Sequence, residues 1–188
     1  MKNLIILFLA AALAFSCNTD KCEDVVCTVG TCVDGTCVDP CDSLDCGIGG
    51  NCSTGLCLCD AGYEQDTAGA CNIEMRAKFI GSWVVSDVCS NSGTATYTVS
   101  VVNSTSAVSD FSVTNFWDIF TNPVNATVSN STAFSIDRQE PDSDGFFVES
   151  IGTGTITGNT ISIEYVISDE TDLANITRDT CTSTWTKQ

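Results

Sequence analysis

The cysteines constrain this chain more than any other feature of its sequence. Thirteen of the 188 residues are cysteine, and six of them lie within residues 41–71, separated by four, five, four, one and eleven residues. That stretch has few large apolar side chains, so it cannot bury enough surface to fold without cross-links. Spacing alone allows fifteen disulfide pairings among six cysteines. A zinc site is the alternative, but the chain has no histidine and this stretch has no paired C-x-x-C knuckles.

The same stretch contains the segment Cys57-Leu58-Cys59-Asp60-Ala61-Gly62-Tyr63, in which a Gly-aromatic pair follows two closely spaced cysteines. Together with the six-cysteine spacing, this segment resembles the epidermal-growth-factor-like (EGF-like) module, and we place that module at residues 40–72. The family pairs its first cysteine with the third, the second with the fourth and the fifth with the sixth. The resemblance therefore implies the disulfides Cys41–Cys52, Cys46–Cys57 and Cys59–Cys71. Each would contribute about 2–4 kcal/mol, mainly by restricting the unfolded chain.

A second cysteine-rich unit precedes this module. Four cysteines within residues 22–37 align with the first four of the module, and Asp39 falls where Cys59 lies. Residues 22–39 therefore resemble a truncated EGF-like module that lacks its last loop. By analogy, the resemblance implies the disulfides Cys22–Cys32 and Cys27–Cys37. The junction Asp39-Pro40 links the two units, and its proline should stiffen the connection.

The N-terminus indicates export. Residues 4–15 form an apolar run of twelve after a short basic start, which is too short to span a bilayer and typical of a signal peptide. The run ends in Leu13-Ala14-Phe15-Ser16-Cys17, which resembles a bacterial lipobox. That resemblance implies a lipoprotein signal peptide at residues 1–16, lipidation of Cys17 and a polar tether at residues 17–21. The alternative is ordinary cleavage near Ala14 or Ser16, with Cys17 left as a free thiol.

Charge and cysteine content limit the partners and the compartment. The chain has 24 acidic and 7 basic side chains, a net charge of −17. Phosphate backbones repel such a surface, so we expect no nucleic-acid partner. Thirteen cysteines with this spacing indicate an oxidising compartment. We therefore predict an exported protein, anchored by lipid to the bacterial outer membrane on its periplasmic or cell-surface face.

After a linker at residues 73–78, the composition becomes that of β-strands, rich in Thr, Ser, Val, Ile and aromatic residues. Apolar and polar residues alternate, as in the series Ile161, Ile163, Tyr165 and Ile167, which predicts strands with one buried face. We predict about eight strands, at residues 79–88, 94–102, 107–116, 123–129, 132–138, 146–156, 159–168 and 175–187. Short strands with polar turns indicate a sandwich or a closed barrel.

The start of this domain favours the barrel. Its segment Phe79-Ile80-Gly81-Ser82-Trp83 resembles the Gly-x-Trp first strand of lipocalin-like barrels. The resemblance implies that residues 79–188 form an antiparallel, lipocalin-like β-barrel of about eight strands, in which Arg178 packs on Trp83. Cys89 and Cys181 are the only cysteines of this domain. We expect a Cys89–Cys181 disulfide that joins the first strand to the last.

The sequence offers few catalytic or metal-binding candidates. Without histidine, Ser-His-Asp and Cys-His catalysis are excluded, and a carboxylate-dependent hydrolase is our third hypothesis. Calcium-binding EGF-like modules carry oxygen ligands before the first cysteine, and this chain departs from that pattern at Lys21 and Pro40. Glu140-x-Asp142-x-Asp144 resembles half of an EF-hand loop, but Ile151 stands at its closing position. We therefore expect no cofactor, with calcium as the alternative.

Inward-facing aromatic residues raise the question of a ligand in the barrel. The possible lumen contacts are Trp83, Tyr97, Phe111, Phe134, Tyr165 and Trp185, and the alternative is that they form an ordinary core. The apolar run at residues 116–120 predicts either an exposed contact patch or, if buried, a strand end or lid. We predict a non-catalytic binding or adhesion protein, with the modules as a stalk and the barrel as a head that engages an unknown protein or glycan. The alternative is a carrier of a small apolar ligand.

Overall fold

The computed structural model describes residues 21–188. These residues belong to two compact units, one that ends at Ser43 and one that runs Leu44–Gln188. The predicted signal peptide, the lipidation of Cys17 and the tether up to residue 20 lie outside the described residues. Within residues 21–188, no helix is both long enough and apolar enough to cross a membrane.

Cross-links, and not a hydrophobic core, stabilise the first unit. Its two strands, β1 (Thr31–Val33) and β2 (Thr36–Val38), form an antiparallel hairpin. Disulfides join Cys22 to Cys32 and Cys27 to Cys37. Val26, Val29, Val33 and Val38 are exposed, Val26 at 92%. With so little apolar surface buried, the disulfides are the main restraint on this unit.

The second unit begins with two further hairpins. β3 (Gly50–Ser53) pairs with β4 (Leu56–Cys59), and β5 (Tyr63–Glu64) pairs with β6 (Ile73–Glu74). Disulfides join Cys46 to Cys57 and Cys59 to Cys71, and Cys41 and Cys52 are also disulfide-bonded.

The β1–β2 and β3–β4 hairpins use the same turn chemistry. Asp34 and Gly35 have φ angles of 52° and 83°, and Thr54 and Gly55 have φ angles of 51° and 82°. Two-residue turns with two positive φ angles match the twist of antiparallel strands. The glycine is required because few other residues adopt this conformation at low cost.

The predicted eight-stranded antiparallel barrel is confirmed. Its strand segments are β7 (Gly81–Cys89), β8 (Gly93–Asn103), β9 (Asp110–Thr114), β10 (Val124–Asn130), β11 (Ala133–Ser135), β12 (Phe146–Ser150), β13 (Gly154–Thr157), β14 (Thr160–Asp169) and β15 (Thr177–Lys187). Two short 3₁₀ turns, Met75–Lys78 and Phe116–Asp118, complete the secondary structure. The ring closes because β15 pairs with both β14 and β7.

Nine segments make eight strands because β12 and β13 lie on the same edge of β14. β12 pairs with residues 165–169 of β14, and β13 pairs with residues 160–162. We predicted one continuous strand at 146–156, but it is interrupted between Ser150 and Gly154, where Gly152 has a φ of 73°. The Ile151 amide still donates to the Glu164 carbonyl at 2.8 Å, so the barrel wall stays continuous.

The strand directions give the barrel two distinct ends. At the end that we call the base, the chain enters through residues 75–80, and the loops 104–109, 131–132 and 158–159 lie there. At the opposite end, the rim, the loops are residues 90–92, 115–123, 140–145 and 170–176.

The predicted contact of Arg178 with Trp83 is wrong. Because β15 runs antiparallel to β7, Arg178 lies near the rim, whereas Trp83 lies near the base and pairs with Lys187. The Lys187 Nζ is 5.2 Å from the Trp83 ring centroid, so a lysine occupies the position that we assigned to arginine.

Candidate functional site

The rim contains a concave hollow. Its volume is about 320 Å³, at the lower end of the usual range of ligand pockets, about 300–1,000 Å³. Its lining combines three apolar side chains with polar and charged ones: Trp117, Phe146, Ile167, Asn91, Ser92, Asp169, Thr177, Arg178 and Asp179. These residues come from the loop 90–92, the 3₁₀ turn Phe116–Asp118 and the strands β12, β14 and β15, five segments that converge because the barrel closes.

One wall of the hollow is a strained segment, residues 115–120, which we call the lid. Phe116 and Phe120 are buried and Trp117 is half-buried, so the apolar run forms a lid and not a fully exposed patch. Asn115, Trp117 and Asp118 have φ angles of 59°, 58° and 55°. Residues other than glycine rarely adopt this conformation, and a bulky one such as tryptophan does so at a cost of about 1–3 kcal/mol.

A carboxylate from the neighbouring loop anchors the end of the lid. The backbone amides of Thr121 and Asn122 donate to the two carboxylate oxygens of Asp142, at 2.8 and 2.7 Å. These hydrogen bonds lower the pKa of the Asp142 carboxyl below its ordinary value of 3.8. The loop at 140–145 and the lid therefore depend on an ionised Asp142.

This anchor should weaken in acid. Because the pKa of Asp142 is lowered in the folded state, the stabilisation is complete above the unfolded value of 3.8 and is lost as the pH falls through the lower, folded value. We expect the amide proton shifts of Thr121 and Asn122, followed by NMR, to titrate together with a midpoint below 3.8. Asp142→Asn should abolish the titration. A midpoint at or above the ordinary value would contradict the anchor.

Beneath the lid, a buried carboxylate lies in the barrel interior. Asp87 is fully buried, and its Oδ2 accepts hydrogen bonds from the Tyr97 hydroxyl at 2.7 Å and the Tyr165 hydroxyl at 2.5 Å. The Tyr97 oxygen in turn accepts a hydrogen bond from the Trp117 amide at 3.0 Å. The lid is therefore linked to the buried carboxylate through a single phenol.

The two phenols stay protonated. Burial, together with the charges of the cluster, raises the pKa of Tyr97 and of Tyr165 far above the ordinary value of 10.0. Each hydroxyl therefore keeps its proton, which it donates to the Asp87 Oδ2. The second carboxylate oxygen, Oδ1, is buried and has no hydrogen-bond partner.

All six predicted lumen residues are buried in the barrel, but they form two groups. Near the base, Phe111 and Phe134 contact Phe79, with ring centroids 5.5 and 5.2 Å apart, and the Trp83 indole donates to the Phe79 carbonyl at 2.7 Å. Trp185 continues this packing towards Phe134, at 6.3 Å.

The aromatic rings of Trp83, Phe111, Phe134 and Trp185 fill the interior of the barrel near its base. Tyr97 and Tyr165 differ, because they donate to the Asp87 carboxylate, whose Oδ1 has no hydrogen-bond partner. That any of the six contacts a ligand stays a prediction.

Sequence reasoning missed Asp87. The signal was present, because the alternation of β7 places Trp83, Val85, Asp87 and Cys89 on one face. A carboxylate on the face of a strand that is otherwise apolar is rare, since buried charges are costly unless paired. The alternation of inward and outward positions along β7 could therefore have identified Asp87 from the sequence alone.

Two carboxylates line the hollow, which bears on the hydrolase hypothesis. Hydrogen bonds from the Thr171 side chain and amide lower the pKa of Asp169. For Asp179, burial alone would raise the pKa, but hydrogen bonds from Ser92, Asn91 and Ser90 outweigh it and leave the pKa lowered. A glycosidase pair needs one carboxyl with a raised pKa as the acid. The arrangement supplies no such acid, and the hydrolase hypothesis remains untested.

Asp179 also lies beside Cys89 and Cys181, and potential ligand atoms of the three side chains are within 4.8 Å of one another. The two sulfur atoms are bonded to each other in a disulfide. Metal ligation by cysteine needs a thiolate, so this group is a disulfide next to a hydrogen-bonded carboxylate and does not suit a metal.

No protein-family model and no curated protein matches this chain. Among solved structures, EF1p2_mFAP2b bound to DFHBI is 17% identical, covers 61% of this chain and 98% of its own, and has a TM-score of 0.41. A redesigned β-barrel, b11L5F_LGL, is 12% identical, covers 61% of this chain and 95% of its own, and has a TM-score of 0.44. Similarity at this level transfers no ligand or function to this chain.

Proposed function

We propose that this chain is a non-catalytic binding or adhesion protein of the bacterial cell envelope. In this proposal, the signal peptide is removed, Cys17 is lipidated, and EGF-like modules at residues 22–39 and 40–72 form a cross-linked stalk. The barrel at residues 79–188 is the head, and its rim contacts a protein or glycan partner. The observation that supports this proposal best is the attachment of the preceding module to the base of the barrel.

That attachment uses several contacts within the unit Leu44–Gln188. The Met75 amide donates to the Gly62 carbonyl at 2.8 Å, and Lys78 forms an ion pair with Glu64 at 3.8 Å. Gly62 lies so close to the base loop that a Cβ added there would come within 2.6 Å of the Ser109 nitrogen. These contacts are all at the base of the barrel, and none of them involves the rim.

The charge of the rim indicates the chemistry of that partner. Acidic residues are concentrated in its loops and at the adjoining strand ends: Asp118, Glu140, Asp142, Asp144, Asp169, Glu170, Asp172 and Asp179. Arg138, near the same end, forms an ion pair with Glu170 at 2.5 Å. Such a surface attracts cations and basic partners, and we propose a partner with a lysine- or arginine-rich surface.

Charge reversal at the rim tests this proposal. Asp144→Lys combined with Asp172→Lys places two cations on exposed rim loops. We expect binding of a lysine-rich peptide to the immobilised full chain, at physiological salt, to weaken by about tenfold or more. The control is Asp24→Lys with Asp42→Lys, which changes the net charge equally at exposed sites in the first unit. Equal losses in the two double variants would show that net charge alone, and not the rim, governs binding.

The lipid anchor has its own test. Intact-mass analysis of the native mature chain should show acyl chains on Cys17 as the first residue, with the other cysteines in disulfides. An unmodified N-terminus would support ordinary signal cleavage and would remove the anchor from the proposal.

The alternative, a carrier of a small apolar ligand, draws on the barrel fold itself. The rings at the base fill the part of the interior where such a ligand would lie. The interior below the rim contains the Asp87 carboxylate and its two phenols, and this polar cluster favours a charged ligand over an apolar one.

A further inference from the structure

The Asp87 carboxylate carries an acceptor atom for which the protein provides no donor. Within residues 21–188, Asp87 Oδ1 is the single buried side-chain nitrogen or oxygen without a hydrogen-bond partner. None of the ion pairs in this part of the chain includes Asp87. Buried polar groups in native proteins are nearly always satisfied, and an exception requires an explanation.

The phenol, amide and indole donors near Asp87 serve other acceptors. The Tyr97 and Tyr165 hydroxyls both donate to the other oxygen, Oδ2, and the Trp117 amide donates to Tyr97. The Trp185 indole donates to the Ser183 hydroxyl at 2.7 Å. Ser183 lies opposite Asp87 on β15, but no hydrogen bond joins its hydroxyl to Oδ1, so this oxygen can accept from a group outside the cluster.

The hollow at the rim is linked to the cluster through the lid and through β14. The Trp117 side chain lines the hollow, while the Trp117 amide is one hydrogen bond from Tyr97. Ile167, another lining residue, and Tyr165 occupy successive inward positions on β14. A shift of the lid at Trp117 would therefore connect the hollow with the buried carboxylate.

Charge and shape point to one class of ligand. Asp169 and Asp179 line the hollow with a single arginine, Arg178, so with Asp87 below them the carboxylates outnumber the cation. Trp117 and Phe146 contribute aromatic surface, and aromatic faces attract ammonium groups. A volume of about 320 Å³ suits a molecule with one ring. We infer that the rim hollow binds a small organic ammonium ion, whose charged group reaches Asp87 Oδ1 beneath the lid.

This site shares Asp169 and Asp179 with the rim surface proposed for the macromolecular partner, but it also needs the buried Asp87, so either proposal can fail alone. The probes are 2-phenylethylammonium, the neutral 2-phenylethanol and the anionic phenylacetate, titrated calorimetrically into the full, oxidised chain. We expect the ammonium ion to bind at least about tenfold more tightly than the alcohol, because it forms a charge-assisted hydrogen bond. Phenylacetate should not bind detectably. Equal binding of all three probes, or binding of none, would overturn the inference and leave an internal water as the partner of Oδ1.

Two variants locate the charge recognition. Asp87→Asn keeps the shape but removes the charge, and we expect the preference for ammonium over alcohol to fall to about onefold. Glu164→Gln removes a carboxylate from the exposed face of β14, the strand that carries Tyr165, and it should leave the preference unchanged. If Asp87→Asn does not fold, the comparison of the three probes on the unaltered chain decides. The rim variant with Asp144→Lys and Asp172→Lys should keep the preference even if it loses the peptide.

Discussion

Phe134→Ala is expected to lower the free energy of unfolding of the barrel by about 3–5 kcal/mol, the usual cost of deleting a buried phenyl ring. Phe134 is fully buried, and its ring lies 5.2 Å from those of both Phe79 and Phe111. The backbone opposite is shaped around it, because a Cβ at Gly154 would lie 2.6 Å from the phenyl ring. A site enclosed by other rings cannot collapse easily, so the cavity should persist. Urea unfolding followed by circular dichroism measures the change.

Phe147→Ala is the matched control. Phe147 is half-buried, and its ring contacts the Arg138 guanidinium, 3.9 Å from the ring centroid. Loss of an exposed cation–π contact and of partial burial should cost about 1 kcal/mol. Equal losses in the two variants would mean that the interior around Phe134 is loosely packed. The barrel would then have room for an apolar ligand near its base.

The inward or outward direction of a side chain could be predicted from the sequence, whereas contacts that depend on strand register could not. Alternation placed Ile161, Ile163 and Tyr165 on the inner face of one strand without any knowledge of pairing. The assignment of Arg178 failed because it came from a resemblance of three residues, and only the register of β15 against β7 reveals that Lys187 faces Trp83.

The candidate site shows the same limit. That Asp87 faces inward can be predicted from the alternation along β7. The short turn between β7 and β8 brings Tyr97 close to it. Tyr165 lies 78 residues away in sequence, and its contact with Asp87 follows only from closure of the barrel. The positive φ of Trp117 has no sequence signal, because tryptophan does not favour that conformation. Tertiary contacts, including the hydrogen bond to Tyr97, impose it.

Arg76 couples the base of the barrel to the module before it, in a segment that the sequence marked only as a linker. It is buried, and its Nη1 lies 2.9, 2.9 and 2.8 Å from the carbonyl oxygens of Ser104, Ala107 and Asp110. Its Nε donates to Glu74 at 3.1 Å. One guanidinium therefore donates to three carbonyls of the base loop, of which those of Ala107 and Asp110 also accept backbone amides.

Arg76→Met should reduce the free energy of unfolding by about 3–5 kcal/mol, because it removes three charge-assisted hydrogen bonds to loop carbonyls and the cation that pairs with the partly buried Glu74 carboxylate. The control Lys78→Met lies in the same 3₁₀ turn and breaks a half-exposed ion pair with Glu64, for which we expect less than about 1 kcal/mol.

Hydrogen exchange should show loss of protection in loop 104–109 for Arg76→Met alone. Because Ser109 in that loop also meets Gly62 of the module, module and barrel should then unfold in separate transitions. A single transition with unchanged protection of the loop would show that the module attaches to the base without Arg76.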